Sequence, residues 1–201
     1  MDSNYWTPEP VYSWTKRKTH VRLITFLMQV IFETPRLFLR KFTEADAPLV
    51  YQLNSDAEVL KYLHGPALEN EEQAKKIINE IILPQYMLNL GRWAIHTKTD
   101  YEFIGWCGLK NIPETGIIDL GYRLLKNAWG NGYAAEAAQY TVIYGLRNLK
   151  IKTITGIAHV DNIASIKILK KIGMQFIKND VVDEVLVRVY DISLPAISDV
   201  C

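Results

Sequence analysis

The chain holds 201 residues, 49% hydrophobic and 22% charged, with 23 basic against 22 acidic side chains and a net charge of +1. That composition fits a globular protein of one domain, and near-neutrality argues against a dedicated nucleic-acid binder or a polybasic membrane-surface protein. Two cysteines, Cys107 and Cys201, are too few for a disulfide framework, and no Cys/His spacing resembles a zinc site, so no metal is expected.

The run Val21 to Phe32, preceded by Lys16-Arg17-Lys18, has the outline of a secretory signal. Arg22 and Gln29 interrupt it, no small-x-small cleavage site follows, and it leads into Glu33-Thr-Pro35. No stretch reaches the ~18 apolar residues of a membrane span, so no membrane association is expected and the location is read as cytoplasmic. Residues 1–27 have no clear period, and Met28 opens what reads like a domain start. The expected division is therefore a poorly packed or non-native extension over 1–30, one domain over 31–195 and a tail over 196–201.

Arg36 to Phe42 alternates as a strand does. Thr43 with Glu44 and Asp46 reads as a helix cap with first-turn acids, opening a helix to about Asn54. A second helix is predicted from Asn70 to about Leu88, with Ile77, Ile78, Ile81 and Ile82 along it and Pro84 kinking or ending its regular part. Three strands follow, Arg92 to Lys98, Glu102 to Ile112 and Ile117 to Leu125, separated by the turn signals Thr99-Asp100 and Pro113-Glu-Thr-Gly116. Then come a helix from Gly132 to about Asn148, a strand Thr153 to Val160, and a helix Asn162 to Ile172 stopped by Gly173. Strands over Met174 to Lys178 and Val185 to Ile192 close the chain, with a hairpin around Asn179 to Asp183. The order β-α-α-β-β-β-α-β-α-β-β describes an α+β domain. Its mixed, mostly antiparallel sheet has seven strands, flanked by about four helices.

The segment Leu120-Gly-Tyr-Arg-Leu-Leu-Lys-Asn-Ala-Trp-Gly-Asn-Gly-Tyr-Ala-Ala-Glu-Ala-Ala138 carries the chemistry. A strand runs into a Gly-x-Gly loop that opens directly into a helix. Such a loop aims several backbone N–H groups, backed by the positive end of the helix, at one anion. A plain strand-to-helix turn that uses glycines for geometry would look the same. The dinucleotide fingerprint fails, because it needs an acidic residue about 20 positions on and none lies between Glu136 and Asp161. A Walker loop fails because no Lys-Ser/Thr follows the glycines.

Several further pieces stand in a set order. They are Glu33-Thr-Pro-Arg-Leu-Phe-Leu-Arg40, Thr43-Glu-Ala-Asp46, Ile104-Gly-Trp-Cys-Gly-Leu109, Leu120-Gly-Tyr122, Trp129-Gly-Asn-Gly-Tyr-Ala-Ala-Glu-Ala137 and Asp161-Asn-Ile-Ala-Ser-Ile-Lys-Ile-Leu-Lys-Lys-Ile-Gly-Met-Gln-Phe176. Together they resemble the GNAT N-acetyltransferases, in particular the RimJ/RimL-like branch, over roughly Ile31 to Ser193. Asn127 departs from the pattern: the family usually carries Arg or Gln there, at the head of its pyrophosphate motif.

The resemblance implies an acyltransferase that moves an acetyl group from acetyl-CoA to a primary amine by direct attack on the thioester. The acceptor is a protein N-terminal α-amine or a small-molecule amine. It also implies that the parallel strands Ile117–Leu125 and Thr153–Val160 diverge around the pantetheine arm. Arg123, Leu124 and Leu125 would hold that arm by their backbones, with Asn127, Gly130, Asn131, Gly132, Ala134 and Ala135 around the pyrophosphate. Asn162 and Ser165, three apart on the opening turn of a helix, would face the cofactor, with Ser165 as donor to the departing thiolate. Asn162 could equally be a plain helix cap, and Ser165 a small packing residue.

For the base the expectation is Asp119, with Glu136, His96, His159 or a water chain as other readings. Tyr122, Trp106 and Trp93 either line an acceptor pocket or fill the core. Cys107, in an apolar strand, gives little support to a covalent cysteine mechanism. A monomer or homodimer is expected. A CoA-binding sensor or partner-binding protein that kept the fold without turnover is the alternative from another class, and a ligand-free structural module is the third. Charge is segregated along the chain: residues 120–178 carry nine basic side chains against two acidic ones, and residues 31–119 carry nine against 13. The basic half is the one expected to hold a polyanionic cofactor.

Overall fold

The computed structural model describes residues 29–193, position 64 apart. The expectations for residues 1–27 and for the tail therefore lie outside the described residues. One sheet of eight strands organises the chain, in the order β1-β2-β3-β4-β5-β6-β8-β7. The strands are β1 Val30–Glu33, β2 Leu37–Lys41, β3 Gly91–Thr97, β4 Phe103–Ile112, β5 Ile117–Leu124, β6 Thr153–His159, β7 Gln175–Val182 and β8 Val185–Ser193. Every neighbouring pair is antiparallel except β5 and β6, which run parallel.

The count of seven strands is corrected to eight. β1 is four residues long and pairs with β2 through an irregular register, Val30 opposite Arg40 and Phe32 opposite Leu39. A strand so short, with a bulge, shows no alternation to read. The expected hairpin at Asn179 to Asp183 is also corrected, because β7 continues to Val182. The turn is Asp183-Glu184, both at positive φ (48° and 65°), with Val182 opposite Val185. Two residues of that hand match the twist of a tight hairpin. Asn179 and Asp180 look like turn residues but belong to a strand at the end of the sheet, where polar side chains cost nothing.

Among the described residues, five α-helices of four residues or more flank the sheet: α1 Ala47–Asn54, α2 Ala57–Leu60, α3 Glu71–Ile77, α4 Tyr133–Arg147 and α5 Ile163–Lys171. α2 is a single turn, with the Asp56 carboxylate accepting from Glu58 N–H at 2.8 Å. α3 begins where the sequence placed it: Asn70 Oδ1 accepts from Gln73 N–H at 3.0 Å. It then widens into a π segment, Ile78–Ile82, which ends one residue short of Pro84. A proline ring clashes with the carbonyl four residues back, and a wider turn relieves that clash.

α1 to α3 cover one sheet face, where Phe42, Val50, Leu53, Ile78, Ile82, Ala94 and Phe103 form a core with Trp106 packed against it. α4 and α5 cover the other, packing Ala137, Ala138, Val142, Leu146, Ile166 and Leu169 against Trp93, Leu109, Leu120, Leu124 and Ile154. The alanines at Ala135, Ala137 and Ala138, buried at helical spacing with Thr141, Val142 and Gly145, let α4 lie close to the sheet. None of the helices of the described residues is long and apolar enough to cross a membrane.

Candidate active site

The site begins where β5 ends. Leu124 leads through a 3-10 turn, Lys126–Ala128, to Trp129-Gly-Asn-Gly132 and the first turn of α4. The Trp129 indole donates to the Leu124 carbonyl at 2.9 Å, and Asn131 Nδ2 donates to the carbonyls of Ala128 (3.3 Å) and Trp129 (3.1 Å). Gly130 and Gly132 both have φ near +77° (78° and 76°), the left-handed region where a side chain is strained. Gly132 is the residue before the helix and offers no side-chain cap; the first α4 bond runs from Glu136 N–H to its carbonyl at 3.1 Å. The N–H groups of the opening turn, among them Ala134 and Ala135, are thus left without helical partners and aim outward.

An ion pair holds this loop. Glu136 accepts from the Thr34 hydroxyl (2.6 Å), Arg36 N–H (2.9 Å) and Arg36 Nε (2.6 Å), while Arg36 Nη1 donates to the Asn131 carbonyl at 3.0 Å. The guanidinium also lies 4.6 Å from the centre of the Tyr133 ring. Burial works against the charge on Glu136, but the bonds from Thr34 and Arg36 outweigh it and hold the carboxyl below its usual range. Glu136 therefore braces the loop. Arg36, which sequence reasoning passed over, places a cation beside a loop whose Asn127 lacks one. One clue lies in the chain: Arg36 stands directly after Pro35, within Glu33-Thr-Pro-Arg-Leu-Phe-Leu-Arg40.

β5 and β6 pair only at Asp119 and Thr155 and separate beyond that point. Leu125 N–H donates to Ile104 at 2.9 Å, and its carbonyl accepts from Ala128 N–H at 3.0 Å. By antiparallel alternation, the backbone of Arg123 is turned to β4, and those of Tyr122 and Leu124 face the widening gap. The opening turn of α5 stands across that gap. Asn162 Oδ1 accepts from Ser165 N–H at 3.1 Å, so Asn162 is a helix cap, and the Tyr122 hydroxyl donates to the Ser165 carbonyl at 3.2 Å. Ser165 and Tyr122 are thereby brought together on the α4–α5 side.

Asp119 lies on the opposite face, by the same alternation that turns Leu120, Tyr122 and Leu124 into the α4–α5 core. Its register neighbours are Lys110 on β4 and Thr155 on β6, and Asp191 on β8 stands opposite Thr155. The Asp119 residue is partly exposed, but its Oδ1 atom is shielded from solvent and has no hydrogen-bond partner, and the same holds for Asp191 Oδ1. Burial pushes the Asp119 carboxyl up to about 6, against the opposing pull of Lys110 and Arg92. A carboxylate poised there accepts a proton near neutrality.

The other titratable candidates have structural partners. His96 Nε2 accepts from Arg40 Nε at 3.1 Å, which leaves Nδ1–H to donate to the Tyr101 carbonyl at 2.9 Å. His159 accepts from Asp161 N–H at 3.0 Å and packs on Tyr62, ring centres 5.3 Å apart. Cys107 is fully buried beside Thr141, and burial pushes its thiol up to about 12, far from a thiolate at neutral pH. Trp93 is core, 1% exposed. No group of three metal-ligating side chains occurs among the described residues.

A mixed sheet with one splayed parallel pair, and a glycine loop at the helix between those strands, defines an acyltransferase domain of the GNAT type. The chain belongs to that family: the model described as the acetyltransferase (GNAT) domain matches residues 36–175. Its relatives include the uncharacterized N-acetyltransferase p20 of Bacillus licheniformis, 36% identical over 143 residues (71% of this chain, 80% of that one), and the uncharacterized N-acetyltransferase YoaA of Bacillus subtilis, 33% identical over 147 residues (72% and 82%). Among solved structures, RimL, a ribosomal L7/L12 α-N-protein acetyltransferase in complex with coenzyme A, shares the fold. The TM-score is 0.71 at 19% identity, covering 82% of this chain and 98% of that one.

Proposed function

We propose that this acyltransferase moves an acetyl group from acetyl-CoA to a primary amine, either a protein N-terminal α-amine or a small-molecule amine. One arrangement carries the reading: the β5–β6 gap has the uncapped glycine loop at its wide end and the partnerless Asp119 oxygen at its vertex. The residues fit the cofactor. The N–H groups at Gly130, Asn131, Gly132, Ala134 and Ala135 suit a pyrophosphate, and Asn127 lies at the head of the loop. The strand edge Arg123–Leu125 suits the pantetheine arm, with Leu124 N–H the group of that stretch facing the gap. Acetyl-CoA supplies an activated acyl group that the amine attacks directly. Asp119 takes the proton from the attacking amine, Ser165 donates toward the departing sulfur, and Asn162 sets the turn that presents Ser165 while its amide faces the cofactor. The cytoplasm, which holds the acetyl-CoA pool, is the compartment that suits this chemistry.

The test pairs two measurements: the melting shift caused by CoA, and thiol release from acetyl-CoA over a panel of amines and N-terminal peptides. The expected result is stabilisation together with acceptor-dependent release. Stabilisation without release from any acceptor would make the chain a CoA-binding sensor. Absence of both would remove the cofactor reading altogether.

A further inference from the structure

The face that carries Asp119 holds two arginine side chains that the reaction described above does not use. Arg92 on β3 and Arg123 on β5 lie on the two strands flanking β4, whose Trp106 stands opposite Arg123. Their guanidinium carbons are 4.9 Å and 5.8 Å from the centre of the Trp106 ring. Gly121, next to Asp119 on the same face, leaves room for that ring: a Cβ there would stand 2.9 Å from it.

Both guanidiniums are underpartnered. Arg123 Nη1 donates to the neutral Asn54 amide oxygen, and Arg123 Nε is shielded from solvent with no partner. Neither arginine forms an ion pair among the described residues. Arg40 shows what a structural arginine looks like in the same sheet. It meets Asp46 through Nη1 (2.8 Å) and Nη2 (2.7 Å), the Lys41 carbonyl (2.9 Å) and His96 (3.1 Å). Holding two half-buried cations together costs free energy: burial together with the Arg92 charge pulls the Arg123 guanidinium down to about 10, while burial lowers Arg92 against the pull of the Asp119 charge. Farther along β5, the Asp119 carboxyl feels the Lys110 and Arg92 charges, but its shielded Oδ1, like that of Asp191, makes no hydrogen bond.

We propose that the acceptor is an amine that itself carries a carboxylate, seated by Arg92 and Arg123 beside Trp106 while its amino group meets Asp119. This rests on the reading of this face as the acceptor side. Guanidinium forks match a carboxylate in two-point geometry, and the neighbouring aspartates favour an ammonium and oppose a doubly charged phosphate. Asp119 and Arg123 are four residues apart on one strand, about 13 Å between Cα atoms, and the arginine side chains shorten that gap. Compact amino acids and ω-amino acids have the matching polarity. A protein N-terminus that does not begin with Asp or Glu presents its amine without a carboxylate at that distance.

The test compares common L-amino acids, and ω-amino acids from β-alanine to ε-aminocaproate, each with its own carboxamide and with N-terminal peptides. Thiol release from acetyl-CoA is read, along with the melting point of CoA-loaded protein. The carboxylates are expected to exceed their amides in kcat/KM by about tenfold to a hundredfold. Arg92→Gln and Arg123→Gln are expected to erase that ratio through KM, and Arg92→Lys to keep part of it. Amides or peptides turned over as well as the carboxylates would overturn the proposal, on wild-type protein alone, as would Gln variants with an unchanged ratio. Should no amine turn over, the melting point still decides. A carboxylate shift absent for the amides and absent in the Gln variants upholds the anion seat while acetyl transfer fails. No shift ends both.

Discussion

At the scale of single residues, Asp119 and Asp46 show opposite uses of a buried carboxyl. Asp46 is fully partnered: burial pushes its pKa up, but Arg40 and the Thr43 N–H and hydroxyl outweigh that and hold it below the usual range. Removing its charge strands the buried Arg40 guanidinium, so Asp46→Asn should cost about 3–5 kcal/mol in urea unfolding. His96, in the same network, is held below its ordinary value first by burial and then by the Arg40 charge, against a contribution from the Tyr101 carbonyl. Both groups therefore bind protons more readily when unfolded. Their stabilising share is present above their unfolded values, about 6.5 for the histidine and about 3.9 for the aspartate. It is lost as pH falls through the depressed folded values. Unfolding free energy should decline from pH ~6.5 downward, and His96→Gln should flatten the upper part of that decline.

Asp119 is the reverse case, raised and without a partner. In the proposed role of base it works only when ionised, so kcat/KM should rise with pH through an apparent pKa of about 6. Asp119→Asn should remove that rise and lower kcat/KM by about a hundredfold to ten-thousandfold. An undisturbed rise in the variant would take the role away from this residue.

At the scale of elements, the loop between β5 and α4 is rigid for reasons that lie outside it. Thr34 and Arg36, at the entry to β2, reach Glu136 in the first turn of α4 and the Asn131 carbonyl in the loop. Glu136→Gln keeps the shape and removes the ion pair. It should raise KM for acetyl-CoA by about tenfold with kcat nearly unchanged, since it loosens the loop without touching the amine side. A fall in kcat alone would place Glu136 in the chemistry instead. The sheet has its own stringent point at Gly108, where a Cβ would stand 1.8 Å from the Gly91 carbonyl oxygen. Backbone cannot swing aside as a side chain does, so Gly108→Ala should lower stability by about 1–3 kcal/mol or more.

At the scale of the whole molecule, long periodic elements and the glycine loop were legible in the chain. Asn70 and Asn162 mark their helices by caps, and Gly130 and Gly132 stand where left-handed backbone is required. β1 was not legible, because four residues with a bulge carry no period. Nor was the loop brace, which joins Arg36 to Glu136 across 100 residues. Charge showed a similar limit: the excess of basic residues over 120–178 reads as belonging to one polyanion site, yet Arg123 from that segment lies with Trp106 on the α1–α3 face, away from the α4–α5 face. Strand alternation decides which face a side chain serves, and composition does not see it.

Acetyl transfer to an amine nitrogen is the claim on which these roles depend. Incubation with isotope-labelled acetyl-CoA and the amine panel, followed by mass spectrometry of the acceptors, tests it directly. The account predicts label in an amide on the acceptor nitrogen, formed in step with free CoA. Label recovered only as acetate, or retained on acetyl-CoA with every acceptor, would contradict it.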